Sequence, residues 1–165
     1  MPIDRKNREH ITSRHRLRGG EYSTAGFYFI TVNTYLRQPL FAEEQDGEIR
    51  LTPQGTMIRS LFQQLPSQFS GIRLDCWAIM PDHFHLLVYL PIENETVSAS
   101  DVVRWIKGVA VAEYRRGVTE THWPRYQSHL WQVGFNDQSV RNDKHLDEVR
   151  RYISENPIRW TDRSW

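Results

Sequence analysis

Residues 77–91 read WAIMPDHFHLLVYLP, two apolar runs on either side of Pro81-Asp82, a dipeptide that favours a tight turn. The pattern predicts a β-hairpin in which residues 72–80 (IRLDCWAIM) form one strand and the run from His83 forms the next. Successive strand side chains point to opposite faces, so Phe84, Leu86, Val88 and Leu90 share one face while His83 and His85 share the other. One face can pack a core and the other can present two imidazoles. Neutral imidazole is the commonest metal ligand, and two of them on one rigid strand supply half of a metal site. A pair of this spacing also arises by chance on a half-exposed strand edge, so the remaining ligands have to be sought elsewhere.

Neighbouring residues argue against two familiar histidine-pair sites, and length against a third. A cupin-type site wants a glutamate shortly after the second histidine, where this chain has Tyr89, Leu90 and Pro91. A metallo-β-lactamase-like site wants Asp-His immediately downstream, where Leu86, Leu87 and Val88 stand. An amidohydrolase barrel needs about 250 residues. The chain has 165.

Upstream of the hairpin, Gly26–Asn33 (GFYFITVN) is rich in aromatic and β-branched residues and reads as a first strand. Residues 36–47, with Pro39 and the acidic Glu43, Glu44 and Asp46, read as a loop. Thr52 before Pro53 is an N-cap with proline in the first helical position, opening a helix to about residue 62 or 65 with Met57, Ile58, Leu61 and Phe62 on its apolar side. Downstream, Ser100 can cap a helix over residues 101–116. There Val103, Ile106, Ala110 and Tyr114 form one stripe, with Arg104, Lys107, Arg115 and Arg116 on the other sides and Gly117 as the stop. Residues 122–128 read as irregular around Pro124, and 130–135 (LWQVGF) as a short strand. A last helix over 144–155 turns Leu146, Val149 and Ile153 inward and ends before Pro157. The order β-α-β-β-α-β with a final helix predicts an α+β protein with a ferredoxin-like antiparallel sheet and two helices on one face.

Length points to one domain over residues 1–165, and a hydrophobic fraction of 39% with 25% charged residues is ordinary for a globular protein. No repeat or low-complexity tract interrupts it. The longest apolar run, near residues 86–90, falls far short of the roughly 20 residues of a spanning helix, and the first 20 residues hold no signal-like apolar segment. A cytoplasmic protein with no membrane association is expected. The single cysteine, Cys76, excludes an intramolecular disulfide and a multi-cysteine zinc site, and its apolar context predicts a buried small hydrophobe. A net charge of +1 does not announce a nucleic-acid partner, but its distribution is uneven. Over residues 1–20, Arg5, Lys6, Arg8, Arg14, Arg16 and Arg18 face only Asp4 and Glu9. This basic arm can contact phosphates or can be a solvated, frayed terminus. The six tryptophans could stack unpaired bases, although most such rings belong to cores.

The final helix carries Tyr152 and Asn156, four residues apart and so on one face. If that face lies over the histidine face of the sheet, Asn156 can offer an oxygen to a metal held by His83 and His85, with Tyr152 beside it. A tyrosine hydroxyl titrates near 10 when unperturbed, and a neighbouring cation favours the phenolate, a nucleophile able to attack a phosphodiester. Spacing alone equally allows Tyr152 as a core-edge aromatic and Asn156-Pro157 as an ordinary helix ending. Tyr114 is the competing nucleophile, but its stripe partners place it in the core.

Together PDHFHLLV (81–88), YRRGV (114–118), LWQVGFNDQSVRN (130–142) and RRYISENPIRW (150–160) resemble the IS200/IS605-like single-tyrosine (Y1, HUH) transposases, and within them the REP-associated tyrosine transposases. The resemblance runs from the strand at 26–33 to residue 160. It implies an HUH endonuclease fold in which His83, Phe84 and His85 are the histidine motif, Tyr152 the nucleophile and Asn156 the third metal ligand. Insertion-sequence members often have glutamine at that last position, so the asparagine resembles the REP-associated branch. The implied activity is DNA transposition by cleaving and rejoining single-stranded, hairpin-flanked DNA through a 5′-phosphotyrosine link, with Mg2+ or Mn2+. Two imidazoles suit manganese somewhat better. The sequence has no Walker-type loop, in keeping with an exchange of phosphodiesters that needs no ATP.

The implied partner is single-stranded or hairpin DNA, contacted by Arg14, Arg16, Arg18, Arg104, Lys107, Arg150 and Arg151. Insertion-sequence relatives form dimers with the tyrosine helix in trans and REP-associated relatives can act as monomers, so a monomer or a homodimer is expected. Two other readings stay open: a domesticated hairpin-binding protein that does not cut, and a metal-dependent phosphodiesterase that uses water.

Overall fold

Alternating aromatic and β-branched side chains make Gly26–Asn33 a strand, β1, and it pairs antiparallel with the histidine strand β5, His83–Leu90. A computed structural model of the chain describes residues 26–91 and 97–162. Among them β2 (Ala42–Gln45) and β3 (Glu48–Leu51) form a small hairpin, α1 spans Pro53–Gln68, and β4 is Arg73–Ile79. After β5 come α2 (Ala99–Glu120), β6 (Asn136–Ser139) and α3 (Asp143–Thr161). The main sheet has the order β4-β5-β1-β6 with every neighbouring pair antiparallel, which is the ferredoxin-like arrangement expected from the sequence. No described helix is long and apolar enough to cross a membrane.

The period-2 reading of β5 holds on both sides of the sheet. Phe84, Leu86, Val88 and Leu90 join Ile30 and Val32 of β1 in a cluster closed by Ile58 and Phe62 of α1 and by Ile106 and Tyr114 of α2. On the opposite face, Leu87, Ala78 and Met80 pack against Val149 and Ile153 of α3. Tyr114 is fully buried, its hydroxyl donates to the Pro124 carbonyl at 2.9 Å, and burial pushes its titration up to about 12. It is a core residue, as its stripe predicts.

Several element boundaries differ from expectation, each for an identifiable reason. The loop expected over 36–47 contains β2, because Asp46 (φ 55°) and Gly47 (φ 78°) both take the left-handed conformation that closes a two-residue hairpin. Helix α1 continues through Pro66 to Gln68, with the proline costing the last turn one backbone hydrogen bond. Ser98, rather than Ser100, caps α2, sharing a reciprocal capping box with Asp101. Gly117 does not stop α2: a Cβ there would lie 2.3 Å from the Trp123 ring, so the glycine admits an indole against the helix. Residues 130–135 contribute only a bridge between Trp131 and Thr34, and the edge strand is instead the polar segment Asn136–Ser139. Helix α3 opens at the Asn142 cap and runs through Pro157 to Thr161. Cys76 is half-buried rather than fully buried, and desolvation raises its thiol to about 12.

A bulge in β4 shifts the register between Leu74 and Cys76. Its extra residue, Asp75, meets Arg150 of α3, and this contact ties the last helix to the histidine face.

Candidate active site

Strand β5 lies between β4 and β1, so the histidine pair sits in the sheet interior and not on a strand edge. His83 is 7% exposed and His85 4%. Their ring centroids are 4.8 Å apart. Register sets what each ring meets, because β1 presents Asn33 opposite His83 and Thr31 opposite His85. Thr31 Oγ1 lies 2.8 Å from His85 Nδ1. His83 Nδ1 lies 2.6 Å from Asp82 Oδ1, and the Arg37 Nε–H donates to the other oxygen of that carboxylate at 2.9 Å.

With both Nδ1 atoms engaged, Nε2 is the remaining nitrogen of each ring. His85 Nε2 is the one fully buried side-chain nitrogen or oxygen among the described residues that has no hydrogen-bond partner. An orphaned buried nitrogen is costly unless something else satisfies it. Burial first, then the neighbouring His83 and Arg37, pulls the His85 titration well below the ordinary value of 6.5. The shift favours the uncharged imidazole, the form that binds metals. Burial alone would raise the Asp82 carboxyl, but its bond to His83 and the Arg37 guanidinium outweigh that, and the net shift is downward.

Helix α3 closes the face from above. The Tyr152 ring is 5.3 Å from that of His85 and 5.8 Å from Phe29, and the Trp160 ring is 5.9 Å from that of His83. Residues 152, 156 and 160 fall on one helical face, so Asn156 lies between the two aromatic contacts. The same helix thus brings Tyr152 and Asn156 to the side of the sheet that carries His83 and His85. No group of three His, Cys, Asp or Glu side chains able to hold a cation occurs among the described residues. Asn156 adds an amide on the same side of the sheet, and two imidazole nitrogens with one amide oxygen fit a divalent cation of the manganese or magnesium kind.

The basic residues singled out from sequence are scattered. Arg104 pairs with Asp101, and Lys107 donates to the carbonyls of Gln132 at 2.9 Å and Gly134 at 2.6 Å. Burial lowers the Lys107 ammonium to about 8. Both lie on α2, across the sheet from the histidines. Arg150 forks onto Asp75, and Arg151 is exposed on α3 beside Tyr152. Arg14, Arg16 and Arg18 lie outside the described residues.

Thr31, Arg37, Asp82 and Trp160 were not foreseen as part of this site. Asp82 read only as a turn residue, and Thr31 becomes visible once the β1–β5 register is known.

Known proteins share this chain's family and fold. The sequence profile of the family described as "Transposase IS200 like" matches residues 30–156. An uncharacterised protein of Haemophilus influenzae is 27% identical over 159 residues, covering 88% of this chain and 87% of its own. A candidate REP-associated tyrosine transposase of the same organism is 22% identical over 142 residues, covering 84% and 74%. Among solved structures, a REP-associated tyrosine transposase bound to a REP hairpin superposes with a TM-score of 0.60 at 24% identity, over 82% of this chain and 68% of that one. A candidate transposase from Deinococcus radiodurans gives 0.51 at 17%, over 84% and 95%. At these identities the two structures speak for the fold.

Proposed function

Because the chain belongs to the IS200-like transposase family, we propose that it cleaves and rejoins single-stranded DNA beside a hairpin, with Tyr152 as nucleophile and a divalent cation held by His83, His85 and Asn156. The observation that carries this reading is the Tyr152 ring against His85, over the face where His85 Nε2 is buried without a partner. A bound cation would supply electrostatic activation of the scissile phosphate.

The residues have separable jobs. Tyr152 Oη loses its proton and attacks phosphorus. The bond from phosphorus to the 3′ oxygen breaks, and that oxygen leaves with the electron pair and is protonated to a free 3′-hydroxyl. Tyr152 is left joined to the 5′ phosphate. Attack by another 3′-hydroxyl reverses the step, restores the phenol and joins the new strand. The number of phosphodiester-type bonds is unchanged throughout, so the reaction runs without a nucleotide cofactor.

Helix α3 positions the tyrosine, and packing of Phe29 against its ring limits its swing. Hairpin DNA as the partner is carried here from the solved relative, which is bound to a REP hairpin. Arg151, beside the nucleophile, and the arm with Arg14, Arg16 and Arg18 are the proposed phosphate contacts, and their share of binding falls with salt.

Hairpin oligonucleotides from the gene's own flanks, end-labelled and incubated with Mn2+, test the proposal. Wild type should give a cut strand together with a slow-migrating protein–DNA band, and Tyr152→Phe neither. Cut DNA without the band would mean hydrolysis by water. Tight hairpin binding without cutting would mean a domesticated DNA-binding protein.

A further inference from the structure

Thr34 through Gln38 form a turn whose backbone is strained at two consecutive non-glycine residues. Leu36 (φ 53°, ψ 24°) and Arg37 (φ 56°) both occupy the left-handed region, where an L side chain crowds its own carbonyl. Such strain persists only where the surroundings over-determine it, and two buried polar residues do so here. Thr34 Oγ1 lies within hydrogen-bond reach of the Gln38 carbonyl at 2.9 Å and the Asp82 carbonyl at 3.1 Å. The Gln38 amide donates to the Tyr35 carbonyl at 2.8 Å and lies close to those of Gln127 and His129, while its oxygen accepts from the Gln127 N–H at 2.6 Å. Thr34 is fully buried and Gln38 is 8% exposed.

This turn delivers the Arg37 guanidinium across the rim of the histidine face. Its Nε–H donates to Asp82 Oδ2 at 2.9 Å, and a second N–H reaches the Asn33 side-chain oxygen. Asn33 is the register partner of His83, so one guanidinium spans the two strands at the point where His83 sits. Occupying Oδ2 fixes the rotation of the Asp82 carboxylate and leaves Oδ1 for His83. A carboxylate only accepts hydrogen bonds. His83 therefore donates from Nδ1, an arrangement that in the neutral ring leaves the lone pair on Nε2.

We propose that Arg37 is a positioning residue: acting through Asp82, it locks the orientation and tautomer of His83 so that Nε2 faces the site. Nothing in the sequence around Arg37 marks it for this role, which follows from the turn geometry. The inference rests on the cation-binding reading of the site, and it is independent of whether Tyr152 attacks DNA. Outer partners of this kind typically change metal affinity by about 10- to 100-fold.

The test uses the full 15N-labelled chain without DNA. Long-range 1H–15N correlations on the metal-free protein report the His83 tautomer, and electron paramagnetic resonance of free Mn2+ reports affinity. Wild type should show His83 protonated only on Nδ1. Arg37→Gln should give mixed tautomers and about tenfold weaker Mn2+ binding with an unchanged melting curve. Asp82→Asn should do at least as much, and the double variant no more than Asp82→Asn alone, because the two residues act in series. A single Nδ1–H tautomer and unchanged Mn2+ affinity in Arg37→Gln would overturn the proposal. If wild type bound no Mn2+, the cation reading would fall, and the tautomer comparison would still decide the role of Arg37.

Discussion

Arg150 and Asp75 join the last helix to the sheet by two parallel hydrogen bonds, Nε to Oδ1 at 2.9 Å and Nη2 to Oδ2 at 2.6 Å. Asp75 is the extra residue of the β4 bulge, and Arg150 stands two positions before Tyr152. A local irregularity in one strand thereby fixes the placement of the proposed nucleophile. The Arg150 side chain is 43% exposed, so the pair adds little to global stability. Asp75→Ala should cost under about 1 kcal/mol in urea unfolding. It should reduce DNA cleavage far more, because small displacements of a nucleophile are expensive.

The same pair gives a pH signature. The hydrogen bond from Arg150 holds the Asp75 carboxyl below its ordinary value of 3.8. The unfolded chain then binds more protons than the native one as the solution is acidified. The contribution of Asp75 is fully present above 3.8 and is lost as pH falls through its lower native value. Melting curves taken across this acid range should show a shallower decline for Asp75→Asn than for wild type, with the difference shrinking at high salt.

Thr31 tests the partner of the second histidine. Thr31→Val keeps a β-branched side chain on β1 but removes the hydroxyl that meets His85 Nδ1 at 2.8 Å. The fold should survive, and Mn2+ affinity measured by calorimetry should drop about tenfold. Unchanged affinity would show that His85 is oriented by packing against Phe29 and Tyr152 instead.

Gly117→Ala sets helix propensity against space. Alanine is better than glycine in a helix by about 1 kcal/mol, yet its Cβ would lie 2.3 Å from the Trp123 ring. Displacing a packed indole should dominate, for a net loss of about 1 to 3 kcal/mol in denaturant titration. A gain in stability would mean that Trp123 moves aside freely.

The sequence made the central pieces of this molecule readable because their patterns are local. Aromatic and β-branched residues mark β1, and the apolar alternation after Pro81-Asp82 marks β5 and its two faces. The Asp46-Gly47 turn was equally local, but the acidic residues around it masked a hairpin. Strand β6 was not readable, since Asn136, Asp137, Gln138 and Ser139 have low strand propensity and pair only because Tyr28 to Thr31 offer an open edge. The more apolar LWQVGF segment drew the assignment, whereas Gly134 (φ 78°) turns the chain within it. Pro157 marked an ending that α3 passes through, with the Trp160 ring packed against His83 beyond it. For the proposed site, spacing and resemblance single out His83, His85, Tyr152 and Asn156. Arg37 and Asp82 depend on a strained turn that the residues Tyr35, Leu36 and Arg37 do not announce.

The identity of the residue that becomes linked to DNA tests the account most directly. Wild-type protein incubated with Mn2+ and hairpin DNA, then digested with nuclease and protease, should yield one nucleotide-modified peptide, with the phosphate on Tyr152. Tyr114→Phe should give the same peptide, losing only about 1 kcal/mol of stability with its bond to Pro124. A covalent adduct mapped to any other residue, or cleavage with every peptide unmodified, would contradict the account.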